Sequence, residues 1–389
     1  MATFEVKAVK IDEVTDHPNA DRLSMNRIGG FIAISNKVDG KHRYRAGDLV
    51  VYVPEGAVMP DYLLQRMGFW KDGKGMLAGS RGNRVKAIKL RGVVSQGIIV
   101  PTHFEPHVGS HYVDGAVDDI GVVEGGNYAD ALGIVKYEPP IPAGMSGDLI
   151  GSEMTLKFDV ENGQKYPDVF RSDDYVCVTE KLHGTFAAFV FTDEPQPGWL
   201  EIRSGSLWAT AYSKGLGSRG LVFKDTPKNR TSNLYVRALL NFIEDNDDAV
   251  ALINDYLGED MADGSKCHRV TFLGEIFGRG VQDLQYSKQA PEFAAFDFVF
   301  GSRYMSSEGF WKRVPVACQT VPVLYKGQFQ DLDIPAVRDG VSSIDQSTLK
   351  EGVVVRAMDA EARNDIIGRK MVKYISPDYL TRKGGTELQ

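Results

Sequence analysis

Residues 137–147 read YEPPIPAGMSG, and a run so dense in proline can be neither the interior of a helix nor a central strand. A chain of 389 residues broken there is expected to fold as separate pieces, in line with about 100–200 residues per domain. The two sides of the break also differ in pattern. Before it come short β-type runs, FEVKAVKIDEV, LVVYVP, RVKAIKLRG and SQGIIVP, and one helical stretch, Pro60–Met67. Several short strands with a single helix predict an OB-like β-barrel over residues 1–105, followed by a linker over 106–150. After it the strands lengthen, as in DYVCVTEKL, FAAFVFT, RVTFLGEIF and FAAFDFVF. A helical insertion places Tyr235, Leu239, Phe242 and Ile243 on one face, with Val250, Ile253 and Leu257 beyond. Residues 151–389 therefore read as an α+β domain.

Composition narrows the class. A chain 43% hydrophobic and 25% charged, with no apolar run near the roughly 20 residues of a membrane helix, fits a folded protein that avoids membranes. Its first residues lack the blocks of a secretory signal, so a cytoplasmic location is expected. Net charge of −7 argues against nonspecific coating of nucleic acid, though not against a local basic groove. Cys177, Cys267 and Cys318 are too few and too scattered for a disulfide framework or a zinc site. His103, His107 and His111 have ligand spacing for a helix, but Pro106 and Gly109 interrupt it. No internal repeat is visible, and only the tail RKGGTELQ is expected to fray.

The chemistry concentrates in the second part. Lys181 ends a β-like run, and Gly184, three residues on, permits close backbone approach beside it. An ordinary lysine is neutral only in about one part in a thousand at about pH 7.4, so a nucleophilic one needs positive neighbours or burial. Glu275 is embedded in the apolar strand FLGEIFG, and Glu351 abuts the β-branched run GVVVR. Each carboxylate there needs a cation, a metal or a donor, although a solvent-facing edge strand would also accommodate either one alone. Two such acids suit magnesium held mainly through water beside phosphates. Lys370 and Lys373 bring positive charge on another β-like segment, able to grip a phosphate and lower the pKa of Lys181.

The ordered set EKLHG, IRSGS, FLGEIFG, FAAFDF, KEGVVVR and MVKYIS resembles the motifs of the covalent nucleotidyltransferase superfamily, which contains polynucleotide ligases and RNA capping enzymes. The KLHG form is similar to RNA ligases of the phage T4 RNA ligase 2 type, and an OB-like domain in front resembles the Deinococcus RNA ligase group. That resemblance implies antiparallel sheets with flanking helices and an ATP-dependent RNA ligase using magnesium, with manganese as a substitute. It implies that Lys181 carries AMP, that Arg203 contacts ribose or phosphate, and that Glu275 and Glu351 serve the metal. Glu180, Leu182 and Gly184 would lie around the nucleotide, with His183 and Thr185 near the phosphates. Phe296 would stack on adenine, although its alternating strand equally fits plain core. The final motif departs from the family's usual Lys-x-Lys, and Lys373 fits it better than Lys370.

Arg81, Arg84, Lys86, Lys89 and Arg91 carry five cations without an intervening acid, a pattern that fits either RNA phosphate contact or the wet face of a strand. The partner implied is RNA, as a nicked duplex with an RNA 3′-OH strand, bound by a monomer. Two other readings stand beside ligation. HPNADRLSMNRIGG with RGVVSQGIIVP resembles tRNA-binding OB modules, which would make a binding protein without catalysis. A capping-type guanylyltransferase or a DNA ligase uses the same lysine, but those enzymes carry an OB domain after the last motif, and sixteen residues follow Lys373 here.

Overall fold

The computed structural model describes residues 4–102, 121–138, 147–150, 156, 158–195, 198–214, 220–359 and 362–386. His103, His107 and His111, and the prolines of the 137–147 run, lie outside them. The chain divides into two compact units, Thr3–Tyr137 with Gln164–Pro167, and Glu138–Gly163 with Asp168–Gln389. Among the described residues no helix is long and apolar enough to cross a membrane.

In the first unit, Leu49–Val53 pairs antiparallel with Lys7–Lys10 on one side and Ile98–Pro101 on the other. Because side chains alternate along a strand, this central strand feeds two cores. Val51 and Val53 join Met59, Leu63 and Leu64, whereas Val50 and Tyr52 join Ile11, Ile28 and Tyr44. A second three-stranded sheet runs Glu13–Asp16, Leu23–Ile28, Phe31–Asn36. The expected helix is Asp61–Arg66, with Pro60 at its N-cap. One expectation needs correcting here. Residues 121–138 fall inside the stretch read as a linker, yet Tyr128, Leu132 and Ile134 are buried in the first unit's core. Glycine-rich turns around them masked a short apolar segment.

The second unit is built on two antiparallel-dominated sheets. One has eight strands, with Gly184–Thr192 between Leu207–Lys214 and Arg269–Gly278, and Pro291–Phe300 beyond. The other has five, with Tyr175–Lys181 between Val323–Gln328 and Gly352–Ala357, and Met371–Ile375 next. Tyr175–Lys181 is buried along nearly its whole length, as its run of β-branched and small residues requires. The helical insertion forms Leu234–Asp245 and Asp247–Tyr256, whose Tyr235, Leu239, Phe242 and Ile253 pack on the eight-stranded sheet's core. Asn233 caps the first of these by accepting from the N–H groups of Tyr235 and Val236.

A buried charge cluster ties the sheets together. Asp297, on Pro291–Phe300, is fully buried and accepts from Arg356 of the five-stranded sheet at 3.5 Å and from Arg369, in the hairpin of Arg363–Asn364 and Gly368–Arg369, at 2.6 Å. Burial pushes the Arg356 pKa down, and the Asp297 carboxylate opposes that shift. Asp297→Ala would strand the buried Arg356 and leave the half-buried Arg369 without its carboxylate, and is expected to cost about 3–5 kcal/mol, read from the urea midpoint at constant m-value.

Candidate active site

The chain passes from one sheet to the other at Lys181-Leu182-His183-Gly184. Tyr175–Lys181 ends in the five-stranded sheet, and Gly184–Thr192 begins in the eight-stranded one. Two registers then fix the acids. Lys181 lies opposite Gly352, so Glu351 stands beside it, and the Lys181 Nζ to Glu351 Oε1 distance is 2.7 Å. Phe186 lies opposite Glu275, which brings the second carboxylate to the same end of its sheet. A Cβ on Gly184 would overlap the Ile276 carbonyl oxygen and crowd Glu275 Cγ at 2.9 Å, so only glycine permits this approach. Likewise a Cβ on Gly352 would overlap the Tyr374 carbonyl oxygen.

The electrostatics differ from the sequence expectation. Burial lowers the Lys181 pKa, but Glu351 and Glu275 outweigh it and the net shift is upward. Lys181 is therefore held as a cation rather than primed as a nucleophile. Burial, with the nearby Glu351, pushes the Glu275 pKa up to about 8, so at neutral pH this carboxyl mostly keeps its proton. Lys373 lies opposite Val354 on the adjacent strand, where burial, together with Lys181 and Lys214, brings it down to about 8. Two contributors were not visible in the sequence. Asp159 and Lys214, 3.6 Å apart, both act on Lys373.

His183 is 3% exposed and held on every side. Its backbone N–H donates to the Tyr286 hydroxyl at 2.6 Å. Asp283 is kept well below the usual carboxylate range because hydrogen bonds from Arg382 and Thr386 overcome its burial. It is thus an acceptor only, and His183 Nε2–H donates to it at 2.7 Å. The Tyr379 hydroxyl, whose pKa burial raises, donates to Nδ1 at 2.7 Å. Burial lowers the His183 pKa, which favours this neutral, single tautomer. Arg382 and Thr386 belong to the tail expected to fray. Their ties to Asp283 hold residues 382–386 against the site instead.

Among the remaining expected residues, Glu180 is buried, its Oε2 accepting from the Ser343 N–H and hydroxyl at 2.8 and 2.6 Å while Oε1 has no hydrogen-bond partner. Leu182 packs with Phe277, Tyr286 and Phe296. Phe296 is half-buried, with the Phe158 ring stacked 4.8 Å from it, so one face is already covered. The Thr185 hydroxyl shares a 2.6 Å hydrogen bond with the Tyr235 hydroxyl, which places it against the helical insertion.

Two expected residues are elsewhere. Arg203 lies opposite Trp208, which lies opposite Thr192, eight residues from Gly184 or about 26 Å at ~3.3 Å per residue. It stacks over Trp208 and donates to the Gly205 carbonyl. Lys370 is locked 2.7 Å from Asp174, seven residues before Lys181 and about 23 Å along the strand. Strand register, not motif order, decides both. In the first unit, Arg81 pairs with Asp61 at 3.4 Å and Arg84 lies 3.5 Å over the Tyr137 ring. Lys86 is half-buried between the inward Val85 and Ala87, while Lys89 and Arg91 are exposed at the hairpin of Ile88–Leu90 and Val93–Ser95.

A divalent cation has a plausible seat in chemical terms. Glu351 Oε2 is buried without a hydrogen-bond partner, and Glu275 supplies a second carboxylate. Among the described residues no group of three or more His, Cys, Asp or Glu side chains is arranged to hold a metal, which fits an ion held largely by water and ligand oxygens. A lysine between two acids, with a second lysine titrating beside it, defines a site suited to phosphoryl transfer.

Comparison with known proteins narrows the class to a family. Residues 174–375 match the RNA ligase family model, and residues 5–102 match an OB-fold domain model. The first match takes in just over half of the chain, which belongs to the RNA ligase family. Solved structures of a Naegleria gruberi RNA ligase are similar in fold. The form with pyrophosphate has a TM-score of 0.70 at 20% identity, covering 97% of this chain and 98% of that one. A variant with AMP and manganese has a TM-score of 0.68 at 19% identity, covering 96% and 97%. The phenylalanine–tRNA ligase beta subunit of Geobacter metallireducens is 27% identical over 202 residues, 50% of this chain. The chain spans about a quarter of that relative's length.

The Lys373 pKa makes a testable demand. A bound polyphosphate favours the charged lysine, so the contribution of Lys373 to affinity is expected to be full below about pH 8 and to fall as pH rises above it. Deprotonation of Glu275 over the same range adds repulsion. Calorimetric titration with inorganic pyrophosphate near pH 8 should show more proton uptake in the wild type than in Lys373→Ala, the ligand's own ionisation being common to both.

Proposed function

We propose that the protein is an ATP-dependent RNA ligase that carries AMP on Lys181 and joins RNA 3′-hydroxyl to 5′-phosphate ends, with nicked duplexes as its substrate in RNA repair. The observation that carries this reading is the Lys181–Glu351 ion pair, with Glu275 and Lys373 at the same crossing, inside the segment that matches the RNA ligase family. Solved structures of the similar Naegleria ligase with ATP or AMP and manganese support the choice of nucleotide and metal.

The residues suggest this course. Lys181 starts as a cation paired to Glu351 and has to lose its proton before attack. A divalent cation at Glu351 and Glu275, with magnesium as the physiological choice and manganese able to substitute, would supply positive charge that offsets the carboxylates and the phosphate oxygens. Neutral Lys181 Nζ then forms a bond to the α-phosphorus as the bond to the β-phosphate oxygen breaks and pyrophosphate leaves. Lys373 gains its proton beside the phosphates and balances their charge. The AMP passes from Lys181 to an RNA 5′-phosphate, and the 3′-hydroxyl attacks that phosphorus and releases AMP. His183, neutral and fixed by Asp283 and Tyr379, is poised near these later transfers. Phe296 offers one ring face for adenine, and Lys89 and Arg91 are the exposed cations best suited to RNA phosphates.

Intact-protein mass after incubation with magnesium and ATP or GTP tests the reading. One added AMP is expected with ATP, none with GTP, and none in Lys181→Ala. A GMP adduct, or no adduct in the wild type, would contradict it. Sealing of a nicked RNA duplex by the wild type, against no sealing of blunt single strands, then tests the substrate.

A further inference from the structure

The first unit closes three hairpins with the same two-residue turn. Val38 faces Lys41 across Asp39-Gly40, Lys71 faces Lys74 across Asp72-Gly73, and Leu90 faces Val93 across Arg91-Gly92. The first turn residue has φ of 48°, 51° and 46° in the three, and the glycine after it has φ of 76°, 79° and 94°. Two successive residues of positive φ make the type I′ turn, whose twist matches that of the flanking strands. Its first position suits Asn, Asp or Gly, because a short polar side chain, or none, tolerates the left-handed region and a long one is strained there. Two of the turns follow that rule, and the third carries arginine.

The exception is braced from outside its own hairpin. Asn19 Nδ2 donates to the Arg91 carbonyl at 2.9 Å. The Asn19 backbone N–H donates to His17 Nδ1 at 3.1 Å, so Nε2 carries the ring proton and donates to the Leu90 carbonyl at 3.0 Å. His17 is buried, which anchors this loop in the unit. Two consecutive carbonyls at the turn are thus fixed by residues 17–19. The Arg91 side chain takes no part in the bracing. It is exposed, and among the described residues nothing bonds to it. An Asn or Asp would close the same turn with less strain, so the fold has no need of arginine here. A strained backbone held by its neighbours, presenting an unengaged cation to solvent, has the form of a contact for an anion outside the unit.

We propose that Arg91 contacts a backbone phosphate of bound RNA from the tip of this hairpin, and that Asn19 and His17 are positioning residues that hold the tip in place. The choice of RNA rests on the reading of the protein as an RNA ligase. The arginine is kept at a position unfavourable to it because the guanidinium offers a forked, permanently charged donor that Asn or Asp would not.

Arg91→Asn tests this, because it installs a residue that the turn favours. Its thermal midpoint is expected at or above that of the wild type. Fluorescence anisotropy with a labelled nicked RNA duplex, in EDTA and without nucleotide, then reads binding across about 50–200 mM salt. Affinity is expected to fall about threefold or more, and the slope of log Kd against log salt to drop by about 1. Asn19→Ala is expected to weaken RNA binding in the wild type and to add nothing in Arg91→Asn, a coupling that a merely structural role would not give. Unchanged affinity and slope in Arg91→Asn overturn the inference, and so does a midpoint below the wild type's, which would show that the arginine serves the fold. A further loss from Asn19→Ala in the Arg91→Asn background overturns the positioning role. Absence of RNA binding by the wild type overturns the RNA reading along with this contact. Binding is measured without ligation, so none of these outcomes depends on whether Lys181 takes up AMP.

Discussion

The ion pair between Lys181 and Glu351 forms where the chain leaves one sheet and enters the other, and the rest of the second unit serves that crossing. Lys181 ends one strand, Glu351 precedes the strand beside it, and Glu275 faces in from the sheet across the turn. Gly184 and Gly352 are needed because the backbones approach too closely there for any Cβ. Behind the crossing, Asp297 of the eight-stranded sheet binds Arg356 of the five-stranded one, and Arg369 of a neighbouring hairpin. Fixing two sheets relative to each other is what keeps a charge pair of 2.7 Å from loosening, since side chains alone would lose entropy to hold it.

The charges at this crossing are close to balance and far from ordinary titration. One cation, Lys181, faces two acids, and Glu275 is pushed up to about 8 by burial and then by Glu351, so it mostly keeps its proton at neutral pH. Lys373 is brought down to about the same value by burial and by the other lysines. A site tuned in this way changes its proton content when a polyanion or a metal arrives, which is the behaviour phosphoryl transfer demands. The buried His183 is held differently, as a neutral ring whose tautomer is set by Asp283 and Tyr379. The ring is thus fixed in orientation and carries no charge at rest.

Much of this was legible in the sequence, for identifiable reasons. The division into two units, the helical insertion and the strand carrying Lys181 follow from prolines, apolar periodicity and β-branched runs. Glu275 and Glu351 stood out because a carboxylate inside an apolar run demands a partner. The places of Arg203 and Lys370 were not legible, because the order of motifs along the chain says nothing about strand register. Register carries Arg203 to the far end of its sheet and lets Asp174 take Lys370. The partners of His183 come from residues about 100 and 200 positions away, and no local pattern marks them. Arg382, in a glycine-flanked tail, carried no signal beyond its charge.

The direction of the Lys181 shift is the central physical claim, because it makes the resting lysine a cation that must be released. NMR titration of the lysine side chains in the ligand-free protein, with Lys181→Arg to assign its signal and Glu351→Gln beside the wild type, measures it directly. The pKa of Lys181 is expected above its ordinary value of 10.5 in the wild type and lower in Glu351→Gln. A Lys181 that titrates below 10.5 without ligand, or that is unmoved by the loss of the Glu351 charge, would contradict the account.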